Sequence, residues 1–208
     1  MHHDEALQRL RQRLAASSEA RRPVARMDLP LKLGHLVTES AVSLLKPAAV
    51  LVPILRRPQG HTVLLTKRAD HLRQHKGQIS FPGGRRDDTD TSYAFAALRE
   101  AHEEVGLAPD AVQVLGYLDD HPTLTGYRIT PVVGYIDTAF VPTTDPGEVA
   151  EAFELPLDHV TRDDGFQRKL LSRGGFDVPF LEIQYGGHQI WGATAAILWN
   201  LREQMLDR

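Results

Sequence analysis

Cysteine is absent from all 208 residues. That excludes a disulfide scaffold, thiolate catalysis and cysteine-based zinc sites, and it suits a reducing compartment. No apolar run approaches the length needed to cross a bilayer, and Met1-His2-His3-Asp4-Glu5 lacks the basic-then-apolar order of a secretory leader. The expected location is the cytoplasm, with no membrane partner. Neither charge sign dominates: 24 Lys and Arg stand against 27 Asp and Glu, and a net charge of −3 gives no basis for a general nucleic-acid binder. The ten histidines are scattered without zinc-ligand spacing. His71 and His75 are four apart, but in a Gly- and Arg-containing stretch that suits surface or substrate contact better than a metal.

What the chain does contain is an ordinary globular composition, 42% apolar and 25% charged, at a length able to bury a core without staples. Leu7, Leu10 and Leu14 space a helix over residues 4–16, ahead of the basic, proline-bearing Arg21-Arg22-Pro23. Residues 1–47 are expected to form a helical appendage, packed on the main domain of residues 48–208 or on a partner subunit of a homodimer. In that domain residues 48–56 and 62–67 are predicted strands around a Pro58-Gln59-Gly60 turn, and residues 78–81 a short strand feeding Gly83-Gly84. A helix is predicted over residues 91–105, with Ala94, Leu98, Ala101 and Val105 as a buried stripe opposite its glutamates. Residues 112–118, 128–136 and 149–155 read as further strands, and Pro131 suggests an edge position or a bulge in the second. Residues 163–175 are expected to form a loop, residues 176–185 and 189–191 a hairpin across Gly186-Gly187, and residues 193–206 a closing helix. Strands with one helix among them and one at the end imply an α/β fold, a mixed β-sheet sandwiched between helices in an α/β/α sandwich.

The most informative stretch is the Gly83-Gly84 turn followed by Arg99-Glu100-Ala101-His102-Glu103-Glu104-Val105-Gly106-Leu107. Glu100, Glu103 and Glu104 stand at i, i+3 and i+4 and project from one helical face. Gly106 reads as the helix stop, where the macrodipole is negative. Each carboxylate there costs roughly 0.3–1 kcal/mol, and each like-charged neighbour roughly 0.2–0.5 kcal/mol more. A helix that needed only solubility would carry Lys or Arg at that end. Acidic faces are often merely solvated, and Arg99, four residues before Glu103, relieves part of the repulsion. Glycine turn, arginine, three glutamates and terminal glycine in fixed order point further, to a hard divalent cation that prefers oxygen ligands and reverses the sign of these terms.

Gly84 to Leu107 resembles the signature box of the Nudix hydrolases, G-x5-E-x7-R-E-U-x-E-E-x-G-U, where U is a bulky aliphatic residue. Residues 99–107 fit position by position, with Ala101 small for U. The first half departs: Asp90 stands where the box has its first Glu, and one extra residue separates it from Arg99. That longer form is similar to the coenzyme A pyrophosphatase branch, whose second signature is resembled by Leu64-Leu65-Thr66-Lys67-Arg68, His71-Leu72-Arg73, Gly77 and Phe81-Pro82-Gly83-Gly84. Thr125-Gly126-Tyr127, Thr130-Pro131-Val132-Val133-Gly134, Glu148-Val149, Phe153-Glu154, Pro156-Leu157, Trp191-Gly192 and Thr194-Ala195 continue the likeness, which covers roughly residues 48–198.

The resemblance implies a Nudix fold and hydrolysis of a pyrophosphate linkage with Mg2+ or Mn2+ as cofactor. It implies Glu100 and Glu104 as metal ligands, Glu103 as a third ligand or an orienting partner of Arg99, and a backbone carbonyl from the glycine turn, at Gly84. Glu100, Glu103, Glu148 and Arg99 are the catalytic candidates, with the general base open between Glu100 and Glu148. Substrate contacts are expected from Arg68, Arg73 and Lys76, from Gly84, and from Tyr127, which offers a ring to adenine. Coenzyme A carries a 3′-phosphate besides its pyrophosphate, which suits extra cations near the entrance. Two alternatives stand beside a small-molecule substrate of this kind. One is a Nudix hydrolase of other nucleoside diphosphates, such as ADP-ribose or dinucleotides. The other is a silent nucleotide-binding regulatory module, against which all three glutamates speak.

Overall fold

Residues 47–55 are apolar on both faces, and a strand of that kind must lie between two layers. The computed structural model, which describes residues 3–20, 22–25, 38–72, 76–173 and 175–206, places it at the centre of a sheet. In chain order the chain forms α1 (His3–Leu14), α2 (Glu39–Ser43), β1 (Lys46–Arg57), β2 (Gly60–Arg68), β3 (Ile79–Ser80) and β4 (Gly83–Arg85). Then come α3 (Tyr93–Val105), β5 (Gln113–Tyr117), β6 (His121–Pro122), β7 (Tyr127–Ile136), β8 (Val149–Pro156) and α4 (Leu157–Thr161). The chain closes with β9 (Gln167–Arg173), β10 (Phe176–Tyr185), β11 (His188–Trp191) and α5 (Ala193–Met205).

The main sheet has eight strands on the path β3-β2-β1-β7-β5, with β4 on β1, β6 on β7 and β8 on β2. It is mixed: β1 runs parallel to β7 from Lys46↔Tyr127 to Leu55↔Ile136, and antiparallel to β2 and β4. One face, with Ala49, Leu51, Leu55, Leu64, Val132 and Ile136, packs on Ala96, Ala97, Ala101 and Val105 of α3. The other, with Val52, Ile54, Val63, Leu65 and Val133, packs on Leu7, Leu10 and Leu14 of α1 and Ile197, Leu198 and Leu201 of α5. The result is the α/β/α sandwich expected from the element order. A second sheet, ordered β11-β10-β9, sends Ile183 and Ile190 into the α5 side of the core.

Three local expectations change. Residues 167–173 are a strand rather than a loop, paired with β10 from Gln167↔Glu182 to Arg173↔Phe176. Pro131 lies in a central strand, not an edge one. The strand tolerates it because Pro131 falls where β5 has ended and β6 has not begun; only its carbonyl is used there, accepting from Leu118 N at 3.0 Å. The buried face of α3 comprises Tyr93, Ala96, Ala97, Ala101, Glu104 and Val105, with Ala94 and Leu98 half-buried. Glu104 therefore borders the apolar stripe instead of standing opposite it.

Candidate active site

Both ends of α3 are fixed by groups outside it. At the start, Ser92 accepts from Phe95 N at 2.9 Å. At the end, Gly106 takes the left-handed conformation (φ 71°), in which glycine carries no Cβ penalty. Thr143 N and Asp145 N, from the loop before β8, donate at 3.0 Å to the last-turn carbonyls of Val105 and Glu104. Helix ends leave such carbonyls without partners, and this loop supplies them.

The same last turn holds the carboxylates. Glu104 is only 3% exposed; its Oε2 accepts from Gly83 N at 3.4 Å and its Oε1 lies 3.9 Å from Arg68 Nη1. Burial pushes Glu104 up to about 8, Arg68 opposes the rise, and the Glu100 charge adds to it, as does Glu148 more weakly. Glu100 is raised too, mainly by burial, against the pull of Arg99. Glycine makes this packing feasible: a Cβ on Gly84 would lie 2.6 Å from the Glu100 carboxylate, and one on Gly83 only 2.4 Å from Ala49 O in the paired strand. Strand β4 thus lays its bare backbone against the glutamates.

Arg99 organises the remaining acids. Its Nε and Nη2 donate to Asp90 Oδ1 and Oδ2 at 3.0 and 3.1 Å, and its Nη1 to Glu100 Oε1 at 2.9 Å and Glu103 Oε2 at 3.2 Å. Asp90 is buried, accepts from Asp87 N at 2.7 Å, and is held below the usual carboxylate range by the Arg99 guanidinium. Asp90 is therefore the bidentate anchor of Arg99, a geometry that fixes a planar guanidinium firmly. The Glu103 carboxylate is mostly exposed and meets Arg99.

Glu148 sits in the loop that caps α3, its carbonyl accepting from Ala69 N at 2.9 Å; its charge reaches both Glu100 and Glu104. His71 meets that loop at Gly147 O, 3.1 Å away. Arg68, at the end of β2, is the cation beside Glu104. Lys76 is exposed in the turn before Gly77, and Tyr127 begins β7 half-buried, opposite Lys46; neither has a described contact with the carboxylates. Arg73 and His75 lie outside the described residues. The sequence reading missed the anchoring role of Asp90, which its place at the box's first acid could have signalled. It also missed Glu19, whose carboxylate accepts from Tyr93 N at 2.7 Å.

The family model described as NUDIX domain matches residues 45–173, more than half of the chain. The chain belongs to the Nudix family. A protein of Escherichia coli O7:K1 named uncharacterized Nudix hydrolase NudL is 44% identical over 160 residues, covering 77% of this chain and 83% of its own. Its namesake from Enterobacter sp. strain 638 is 42% identical over the same shares. Among solved structures, a Nudix hydrolase from M. smegmatis, RenU, is 28% identical, covering 55% of this chain and 73% of its own at a TM-score of 0.44. This Nudix hydrolase is a pyrophosphohydrolase acting on nucleoside diphosphate derivatives, and enzymes of the family use divalent cations. No helix among the described residues is long and apolar enough to cross a membrane.

Proposed function

We propose that this enzyme hydrolyses the pyrophosphate bond of coenzyme A or its acyl derivatives, giving 3′,5′-ADP and 4′-phosphopantetheine or its acylated form. The observation that carries the site reading is the buried Glu104, which accepts from Gly83 N beside the Glu100 charge and whose described cation, Arg68, lies at the long separation of 3.9 Å. Such a carboxylate lacks the positive charge that would make it stable in ionised form. The donor set is oxygen only, which fits a hard divalent cation. Among the described residues no three acidic or histidine side chains gather closely enough to cage a metal alone. The oxygen donors suit Mg2+ or Mn2+, which keep waters and complete their shell with substrate phosphates. Glu100, Glu104 and the Gly84 carbonyl would hold it, with Glu103 turned to Arg99.

When bound, the cation supplies positive charge against the phosphate oxygens and makes water easier to deprotonate. The chain's own groups do the rest. Arg68 and the neighbouring basic residues Arg73 and Lys76 draw in the diphosphate and the 3′-phosphate, and Tyr127 offers a ring to adenine. Arg99, fixed by Asp90, holds Glu100 in place. Glu148 acts as general base: its exposed carboxylate takes no hydrogen bond among the described residues, whereas Glu100 is already engaged by Arg99. It takes a proton from water, the water oxygen bonds to one phosphorus, and the bridging P–O bond breaks toward the other phosphate. Coenzyme A as substrate rests on the second-signature residues around Arg73 and Gly77.

The test is to incubate the purified protein with coenzyme A, ADP-ribose and dinucleotides, each with Mg2+ or Mn2+, and to chromatograph the products. Release of 3′,5′-ADP from coenzyme A is expected. Good turnover of another substrate without it would sink the coenzyme A assignment and leave the broader reaction class standing.

A further inference from the structure

The catalytic helix has no acidic residue in its own first turn, where negative charge would be favourable. A distant residue supplies one. Glu19 Oε1 accepts from Tyr93 N at 2.7 Å, from Ala94 N at 3.3 Å and from Tyr117 OH at 3.1 Å. With Ser92 taking Phe95 N and, through its carbonyl, Ala96 N, the opening donors of α3 are all satisfied. Half of that cap lies far upstream of the hydrolase box.

Neighbouring residues hold the segment that carries Glu19 in place. Ser17 Oγ accepts from Tyr117 N at 2.9 Å, and Arg22, almost buried, donates to Asp120 Oδ1 at 2.8 Å. Val24 bridges Asp120 in parallel register. The Arg22 guanidinium lies 4.4 Å from the centre of the Tyr93 ring, and that of Arg86 lies 4.6 Å from it. Arg86 in turn donates to Asp90 O at 3.1 Å, and Asp90 holds Arg99, which holds Glu100. A continuous chain of contacts therefore joins the N-terminal segment to the carboxylates. The helix is the lever: Ala94 and Glu104 lie ten residues apart on α3, about 15 Å along its axis, so a tilt at one end moves the other.

We infer that the N-terminal segment bearing Ser17, Glu19 and Arg22 is a strap that sets the pose of the catalytic helix, with Glu19 as its positioning residue. Glu19 touches neither substrate nor cation; it acts by keeping Glu100 and Glu104 in register with Gly83-Gly84. This inference rests on the metal-site reading given above. Misplacement of reacting groups by an ångström is enough to lower turnover by up to about 100-fold, so the strap bears on rate as well as on folding.

The experiment uses the full-length chain with Glu19→Ala, Glu19→Gln and Tyr117→Phe. It follows amide hydrogen exchange at Tyr93 and Ala94, calorimetric Mn2+ binding without substrate, and kcat and KM. Loss of a hydrogen-bonded charge predicts for Glu19→Ala about tenfold faster exchange at those amides, about tenfold weaker Mn2+ binding and a similar fall in kcat. KM for the nucleotide should stay within about twofold. Glu19→Gln keeps an acceptor oxygen and should recover most of each loss. Tyr117→Phe removes one of the three donors to Glu19, so it should shift all three readouts slightly the same way and carries the test if Glu19→Ala fails to fold. Unchanged Mn2+ binding and kcat in a folded Glu19→Ala protein would overturn the inference, even with faster exchange. Wild-type protein that bound no Mn2+ would overturn the metal reading and this one together. Wild-type protein that bound Mn2+ but left coenzyme A intact would overturn the substrate assignment alone.

Discussion

Replacing Glu104 with Gln should stabilise the metal-free protein while abolishing turnover, and the two effects share one cause. Burial and the Glu100 charge push Glu104 from an ordinary 4.5 up to about 8 in the folded state. A carboxyl raised in this way adds nothing to the pH dependence below its unfolded value, where both states carry the proton. Between 4.5 and 8 only the unfolded chain releases it, so stability falls as pH rises across that window and levels off above it. Each pH unit there is worth about 1.36 kcal/mol, which makes the whole loss on the order of 5 kcal/mol. For a chain of this size that corresponds to roughly 10–20 °C in melting temperature. Glutamine has the same shape, still accepts from Gly83 N and carries no charge. Calorimetric melting in chelator at several pH values should therefore show the two proteins alike near pH 4.5 and the variant increasingly more stable toward pH 8. Saturating Mg2+ should then raise the wild-type melting point far more than that of the variant. Parallel melting curves for the two proteins across this pH range would refute the reasoning, because Glu104 would then be ionised at no cost in the metal-free fold.

Three further outcomes follow from the same geometry. Gly84→Ala, whose backbone an alanine can adopt, would place a methyl 2.6 Å from the Glu100 carboxylate; kcat should fall on the order of 100-fold with near-normal melting, checked by steady-state kinetics and calorimetry. Asp90→Asn removes the charge that receives both forks of Arg99, which should cost about 2–3 kcal/mol in urea unfolding and lower kcat as Glu100 loses its bearing. Leu10→Ala, at a fully buried position where α1 meets the core, should cost about 2–5 kcal/mol in the same assay and leave kcat at low temperature nearly unchanged.

Strong local rules were readable in the chain. The terminal Gly106 and the spacing of Ala101 and Val105 lie within the segment they shape, so the end of α3 and its glutamates are placed from residues alone, whereas the Ser92 cap and the buried Ala96 and Ala97 come from the structure. Strand β9 was not readable, because Gln167-Arg168-Lys169-Leu170-Leu171-Ser172-Arg173 lacks clean alternation. It is an edge strand whose order comes from pairing with β10, including Lys169 beside the buried Glu182. Pro131 misled because proline excludes a strand centre only where its missing N–H is needed, and the gap between β5 and β6 is a tertiary fact. The i, i+3, i+4 spacing predicts Glu104 on an outward face with Glu100 and Glu103, and a carboxylate rarely lines a core. Its Oε2 is held inside by Gly83 N, which β4 brings up from another part of the chain. Glu19 could not be found at all: its partners lie 74, 75 and 98 residues away, and nothing local distinguishes it from any exposed acid.

The loop before β8 has one more implication, for how freely its length can vary. Exposed, proline-bearing connections usually tolerate insertions and deletions, since nothing depends on their spacing. Here Thr143 N and Asp145 N are tied to the end of α3, and three residues later Glu148 O is tied to Ala69 N. The two ties act as a ruler. A residue added between Asp145 and Glu148 would have to bulge outward or pull one tie loose, and either change moves the carboxylate relative to the cluster. Graftable positions should instead lie at the exposed Val141, between Phe140 O, which accepts from Arg57 Nη2 at 2.8 Å, and the tie at Thr143 N.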